Sequence, residues 1–278
     1  MGKSGQKKES PGKDSSTAYY LYLITSSSDV LAESASLPVA IEDGAGFEWI
    51  TIGDLAALAS KVPLLDYNEE SLAKNLTDAT WTALRAMRHE HVLEYFTKRA
   101  SVIPLRFGSI YLERSSVERM LSERTVELSE LLGRLQGKVE WGVNVYCDRN
   151  KLLEGITSVS QKLRELLDQA KNASPGQAYL LKKKIDTMRT DEARVELARI
   201  VDQVEQDLSN VSDATKRLRI LKVEATEFGE LKGKFAFLID RDGFDKFRNE
   251  AERLAQEYET AGVKLELTGP WPVYNFTG

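Results

Sequence analysis

One cysteine, two histidines and no glycine-rich phosphate loop leave this 278-residue chain few routes to chemistry. A lone Cys147 excludes an internal disulfide and any cysteine-rich zinc site. It follows the β-rich run Trp141–Tyr146, where a cysteine reads as a buried structural thiol. The histidines, His89 and His91, are two positions apart. On a helix that spacing turns the imidazoles to different faces, unlike the i, i+4 pair of a zinc protease. His91 is assigned to an apolar stripe or to a neighbouring carboxylate, and neither histidine to a metal. GxxxxGK[ST], GxGxxG and the GxSxG elbow do not occur. The carboxylates fall mostly on charged helical faces, with no fixed partner to divide a pair into acid and base. No catalytic residue, metal or cofactor is assigned, and the chain reads as a non-enzyme.

Basic excess and long apolar runs are lacking too. Acidic residues number 43 against 38 basic ones, giving a net charge of −5 and arguing against a nucleic-acid partner. No apolar run approaches the roughly 18 residues that span a bilayer, so no membrane role is expected. Residues 1–17 are Gly/Ser/Lys-rich without an apolar core, which predicts a disordered tail rather than a secretory signal, and a cytoplasmic protein.

What is present predicts an α+β protein of two domains, residues 18–136 and 137–278. In the first, Tyr19–Ile24 and Phe47–Ile52 read as strands, with a short strand near Pro38–Glu42. Leu55–Lys61 reads as a helix capped by Asp54 and stopped by Pro63. Glu69–Ala100 reads as two helical pieces, the second capped by Asp78, with Trp81, Leu84, Met87 or His91, Val92 and Phe96 inward. Val102–Gly108 is extended. A helix capped at Ser115 or Ser116 runs to Gly137. This arrangement fits no topology we can assign.

In the second, Val139–Tyr146, Arg219–Glu224, Lys234–Ile239 and Val263–Thr268 read as strands, with helices over Lys151–Lys171 and Phe244–Tyr258. That order is β-α-β-β-α-β, the ferredoxin-like pattern. A long charged helix, Ala178 to about Asn210, interrupts it. Its apolar positions Leu181, Ile185, Met188 and then Leu197, Val201, Val204, Leu208 are heptad-like on either side of a phase shift near Thr190. Residues 174–214 are expected to project as a helical hairpin or arm.

The chain closes on Gly269-Pro270-Trp271-Pro272-Val273-Tyr274-Asn275-Phe276. Two prolines exclude a regular strand or helix, and three large aromatics do not suit a free tail. The segment is expected to pack on the protein or on a partner, so Pro270, Trp271, Tyr274 and Phe276 are candidate contact residues. Trp141 is another, because Gly142 beside it permits close backbone approach. Arg106, opposite in direction to Leu105 and Phe107, is expected to anchor a buried carboxylate or reach across the domain boundary.

Four phrases in this order resemble the gas vesicle accessory family GvpF/GvpL: Arg88-His89-Glu90, Ile103–Gly108, Glu140–Tyr146, and the closing Gly269–Pro272 with Tyr274 and Phe276. The Ser174–Leu180 turn is similar to the family as well, while residues 1–17 lie outside the match and Val273 departs from it. The resemblance implies a non-enzymatic assembly factor or minor structural component of the gas vesicle. It also implies binding of the hydrophobic shell protein GvpA and further accessory proteins, and two α+β domains, the second a modified ferredoxin-like one.

Overall fold

The computed structural model describes residues 17–30, 37–220 and 225–278, and the predicted tail, apart from Thr17, lies outside them. The chain divides between Arg134 and Leu135 into two compact units.

Strands β1 (Thr17–Ser26), β2 (Phe47–Ile52), β3 (Leu55–Pro63), β4 (Val102–Pro104) and β5 (Ile110–Tyr111) form the first unit's antiparallel sheet. Its order is β2-β3-β1-β4, with β5 also on β1. Here β3 corrects the helix expected over Leu55–Lys61. Leu-Ala-Ala-Leu-Ala favours helix locally, but Gly53, at φ +56°, and Asp54 make a two-residue hairpin loop instead. β3 then pairs on both sides and buries every residue from Leu55 to Ser60. A strand buried on both faces loses the alternation that would identify it. No strand forms over residues 37–42.

Helices α1 (Leu64–Tyr67), α2 (Glu69–Asn75) and α3 (Ala79–Thr97) follow β3. Asp78 caps α3 as expected, accepting from the amides of Thr80 and Trp81. α3 packs on β1 and β4 through His89, Val92, Leu93 and Phe96. Leu84, Met87 and His91 point to solvent, so the expected stripe is rotated by part of a turn. The helix expected up to Gly137 is two helices, α4 (Arg114–Glu123) and α5 (Thr125–Leu135). Glu113, not a serine, precedes α4 and supplies no side-chain cap.

The second unit's sheet contains β6 (Lys138–Cys147), β7 (Ala214–Arg217), β8 (Ala225–Thr226), β9 (Gly229–Asp240) and β10 (Val263–Trp271). Its order is β10-β6-β9-β7, all antiparallel, with β8 also on β9. The strand expected at Arg219–Glu224 is instead β7, a few residues earlier; Arg219 and Ile220 are irregular and residues 221–224 lie outside the described ones. The expected Lys151–Lys171 helix breaks at Ser160 into α6 (Arg149–Val159) and α7 (Gln161–Lys171). Ser160 Oγ accepts from the Leu163 amide and caps the second piece.

α8 (Pro175–Ser209) is one unbroken helix, begun by a Ser174–Gln177 capping box. From Ile185 onward it is not a free arm. Ile185, Ala193, Ile200, Val201, Val204 and Leu208 join the core with Phe235 and Phe237 of β9. Phe247, Leu254 and Tyr258 of α9 (Phe244–Glu259) complete that core. Only the first turns, paired with α7, stand clear of it, where Tyr179 and Leu180 are exposed.

Candidate functional site

Alternation along β6 sets up the second unit's candidate site. Val139, Trp141, Val143, Val145 and Cys147 face the helices, which leaves Glu140, Gly142, Asn144 and Tyr146 on the opposite face. The chain end crosses this second face. Thr268 of β10 pairs with Gly142, the register then shifts across the cis Gly269–Pro270 bond, and Trp271 pairs with Glu140. The proline phrase therefore continues a strand after an irregularity, where none was expected. Gly142 makes the approach feasible: a Cβ there would sit 2.6 Å from Thr268 Oγ1 and 3.7 Å from Trp271 Nε1. Trp271 Nε1 donates to Thr268 Oγ1 at 3.1 Å.

Beyond Trp271 the segment becomes a strap. Pro272 and Val273 are buried, and Tyr274–Phe276 form a 3₁₀ turn. Asn275 delivers its amide to Glu140 Oε2 at 3.0 Å and its Nδ2 to Oε1 at 2.5 Å. Glu140 is only 4 % exposed. Burial pushes its carboxyl above the usual range, an effect the Asn275 donors and the Lys216 charge partly oppose. Lys216 of β7 donates to the Gly278 carbonyl at 2.8 Å and lies 5.9 Å over the Phe276 ring. The strap thus reaches from edge strand β10 to the opposite edge, β7.

Of the sequence candidates, Pro270, Trp271, Tyr274 and Phe276 belong to this strap, but Trp271 is 49 % exposed rather than buried under it. Trp141 is on the helix-facing side, stacked on Phe244 with centroids 4.3 Å apart and planes at 17°. It also meets the terminus at Gly269, whose Cβ position would lie 3.2 Å from Trp141 Cε3. Arg106 is apart from them in the first unit. It is exposed and forms no salt bridge among the described residues, so it anchors no buried carboxylate. Glu140 and Asn275 were missed. A charged residue in an alternating strand reads as solvent-facing, and only the folded strap reverses that.

The first unit holds a second polar cluster. His89 Nε2 lies 3.1 Å from the Leu105 carbonyl, which can only accept, so Nε2 carries the proton. Nδ1 is then the acceptor for the Tyr20 hydroxyl at 2.8 Å, and Tyr20 in turn accepts from the Gly108 amide at 3.3 Å. Burial lowers the His89 pKa to about 4, keeping the ring neutral. His89, not His91, is therefore the inward histidine. It ties α3 to the Leu105–Gly108 loop, so two of the four sequence phrases form one hydrogen-bonded unit. Nearby, Arg85 grips Glu42 through Nε (2.7 Å) and Nη2 (2.8 Å), and Tyr67 donates to the same carboxylate. Each group has a structural partner. Cys147 is likewise buried, its thiol pushed up to about 11 by desolvation. Among the described residues no cluster of His, Cys, Asp and Glu could hold a metal, and no helix is long and apolar enough to cross a membrane.

The comparisons with known proteins agree with this architecture. The chain is 29 % identical over 234 residues to gas vesicle protein L of Streptomyces sp. (strain CB03234), covering 81 % of each chain. It is also 29 % identical over 231 residues to gas vesicle protein F of the same strain, covering 81 % of this chain and 84 % of that one. The crystal structure of gas vesicle protein GvpF from Microcystis aeruginosa superposes with a TM-score of 0.63 at 18 % identity, over 94 % of this chain and 99 % of that one. The sequence model of gas vesicle synthesis protein GvpL/GvpF matches residues 18–278, and the chain belongs to that family.

Proposed function

We propose that this protein is a non-enzymatic gas vesicle assembly factor that binds the hydrophobic shell protein GvpA and presents it for shell growth, working in the cytoplasm and at the vesicle. The observation that carries the reading is β10. It is a nine-residue edge strand, paired with β6 on one side and with no strand on the other among the described residues. An apolar, β-rich subunit aggregates through unpaired strand edges, and an edge of this kind can cap one by β-augmentation. The strap leaves that edge open because it turns across the face of the sheet. We read the second unit as a modified ferredoxin-like domain. Its β10-β6-β9-β7 order, the fourth, first, third and second strands of a β-α-β-β-α-β chain, supports this, with α7 and α8 as the added helices.

The test is a pull-down of the purified chain with GvpA. It is repeated with the chain truncated after Gly269, and with a proline inside Val263–Thr268 where the amide points away from β6. Loss of binding with the proline and its retention on truncation would assign the contact to the edge. Undiminished binding by a folded variant carrying both changes would overturn the reading. A second reading, a scaffold joining several vesicle proteins through its helical arm, is favoured by the exposed Tyr179 and Leu180 at the start of α8.

A further inference from the structure

α7 and the first turns of α8 enclose an open groove of about 930 Å³, lined by Glu165, Asp168 and Gln169 on one wall and by Leu180 and Leu181 on the other. Two features make this tip unlike the rest of α8. Tyr179 and Leu180 are adjacent and 67 % and 65 % exposed, whereas from Ile185 onward most apolar residues of the helix turn into the core and Val195 is exposed singly. Lys183 follows Tyr179 by four positions and Leu180 by three, and Lys184 follows Leu180 by four, so the two lysines share the face of the exposed apolar pair. Neither lysine has a carboxylate partner among the described residues. The acidic wall is lightly held: Asp168 pairs with Lys171 three residues away, both about two-thirds exposed, and among the described residues Glu165 accepts from Gln161 alone.

An acidic wall, an apolar seam and unneutralised lysines on one hairpin form a self-complementary surface. We propose that this tip is a docking surface for a second copy of the same chain, related by a two-fold axis. Tyr179 and Leu180 of each copy enter the groove of the other, and Lys183 and Lys184 face the partner's Glu165 and Asp168. A two-fold contact uses the same patch twice, which is what a surface carrying both charge signs beside one apolar seam provides. The patch is small, so the dimer is weak and concentration-dependent, and apolar contact with charge pairing at its rim sets its specificity. The inference does not rest on shell-protein binding, which uses the β10 edge and is read by a different assay.

The test is sedimentation equilibrium of the full chain over a wide concentration range, with two charge-reversed variants. Glu165→Lys/Asp168→Lys and Lys183→Glu/Lys184→Glu each place like charges across the two-fold axis, and each should weaken self-association at least about tenfold. Mixed together they should associate with each other, because the lysine wall of the first meets the glutamates of the second, and the native acidic wall of the second meets the native lysines of the first. That rescue separates a broken interface from a damaged fold. Leu180→Asp should abolish the dimer in every mixture. A chain that stays monomeric at the highest concentration reached would overturn the proposal, as would variants that dimerise like the native chain or fail to rescue one another.

Discussion

Asn275 closes over Glu140 with both its backbone and its side-chain nitrogen, pinning the middle of the strap to one buried carboxylate. The pair decides how firmly the strap lies on the sheet. Asn275→Ala removes the Nδ2 donor and leaves Glu140 Oε1 buried without that partner, a loss of about 1–3 kcal/mol. The expected result is a lower urea midpoint together with faster proteolytic trimming beyond Trp271. An unchanged midpoint and an equally protected terminus would show that the strap is held by its apolar residues alone.

Much of the architecture was legible before the structure, and the failures share a cause. β6 and β10 alternate apolar with polar or small residues and α9 repeats apolar residues at three-and-four spacing, while β9 was readable from its aromatic and branched run Phe235–Ile239. β3 was not, because a strand covered on both faces carries no period, and its alanines spoke for helix. His91 was preferred to His89 because exposed Leu84 and Met87 mimic a stripe, while the true inward face of α3 includes a neutral histidine that a hydropathy pattern counts as polar. Trp141 and the strap aromatics were found through their types and their neighbouring glycines. Glu140 and Asn275 could not be, since their meeting depends on a contact 135 residues apart in sequence.

His89 gives the first unit a defined response to acid. Its folded pKa, about 4, is depressed below the ordinary 6.5 because burial disfavours the charged ring. Stability from the neutral ring is therefore complete above pH 6.5 and is lost as pH falls toward 4. The window is worth roughly 3 kcal/mol. Hydrogen-exchange protection in α3 and the Leu105–Gly108 loop, after correction for the intrinsic pH dependence of exchange, should fall as pH drops across that range in the native chain, and much less in His89→Gln. Parallel pH dependence in the two proteins would remove His89 as the cause.

Arg85 should not be replaceable by lysine. It makes a two-pronged contact with Glu42, both side chains being largely buried, and stacks on Trp81 at 4.1 Å. Arg85→Lys keeps the charge but loses the planar fork and much of the stacking, while Arg85→Ala also removes the charge and leaves the Glu42 carboxylate with the Tyr67 hydroxyl but no cation. We expect losses of about 1 and about 3 kcal/mol respectively in urea denaturation of the first unit. An Arg85→Lys variant as stable as the native chain would mean that the fork geometry contributes nothing.

Gly142 tests whether the terminal strand needs a bare backbone opposite it. A Cβ would stand 2.6 Å from Thr268 Oγ1. Gly142→Ala should turn the Thr268 side chain and break its bond with Trp271, at a cost of about 1 kcal/mol, and Gly142→Val should cost more by displacing the indole. Trp271 fluorescence should shift to the red in the valine variant as the ring gains solvent. No shift would mean that β10 absorbs the bulk without moving its last turn.

The two ends of α8 should respond unequally to truncation of apolar side chains. Ile200 is fully buried against the sheet core, so Ile200→Ala leaves a cavity and should cost about 2–5 kcal/mol of the second unit's stability. Leu180, two-thirds exposed on the same helix, should lose under about 0.5 kcal/mol on the same change. Composition alone predicts similar effects, because Leu180 and Ile200 are both large aliphatic residues on one unbroken helix. The discriminating quantity is therefore the ratio of the two losses, measured by urea denaturation of dilute chain where self-association is negligible. A large ratio means that one helix serves two purposes, core packing from Ile185 onward and a solvent-facing surface before it. Comparable losses would mean that the tip of α8 is as much a part of the folded unit as its base.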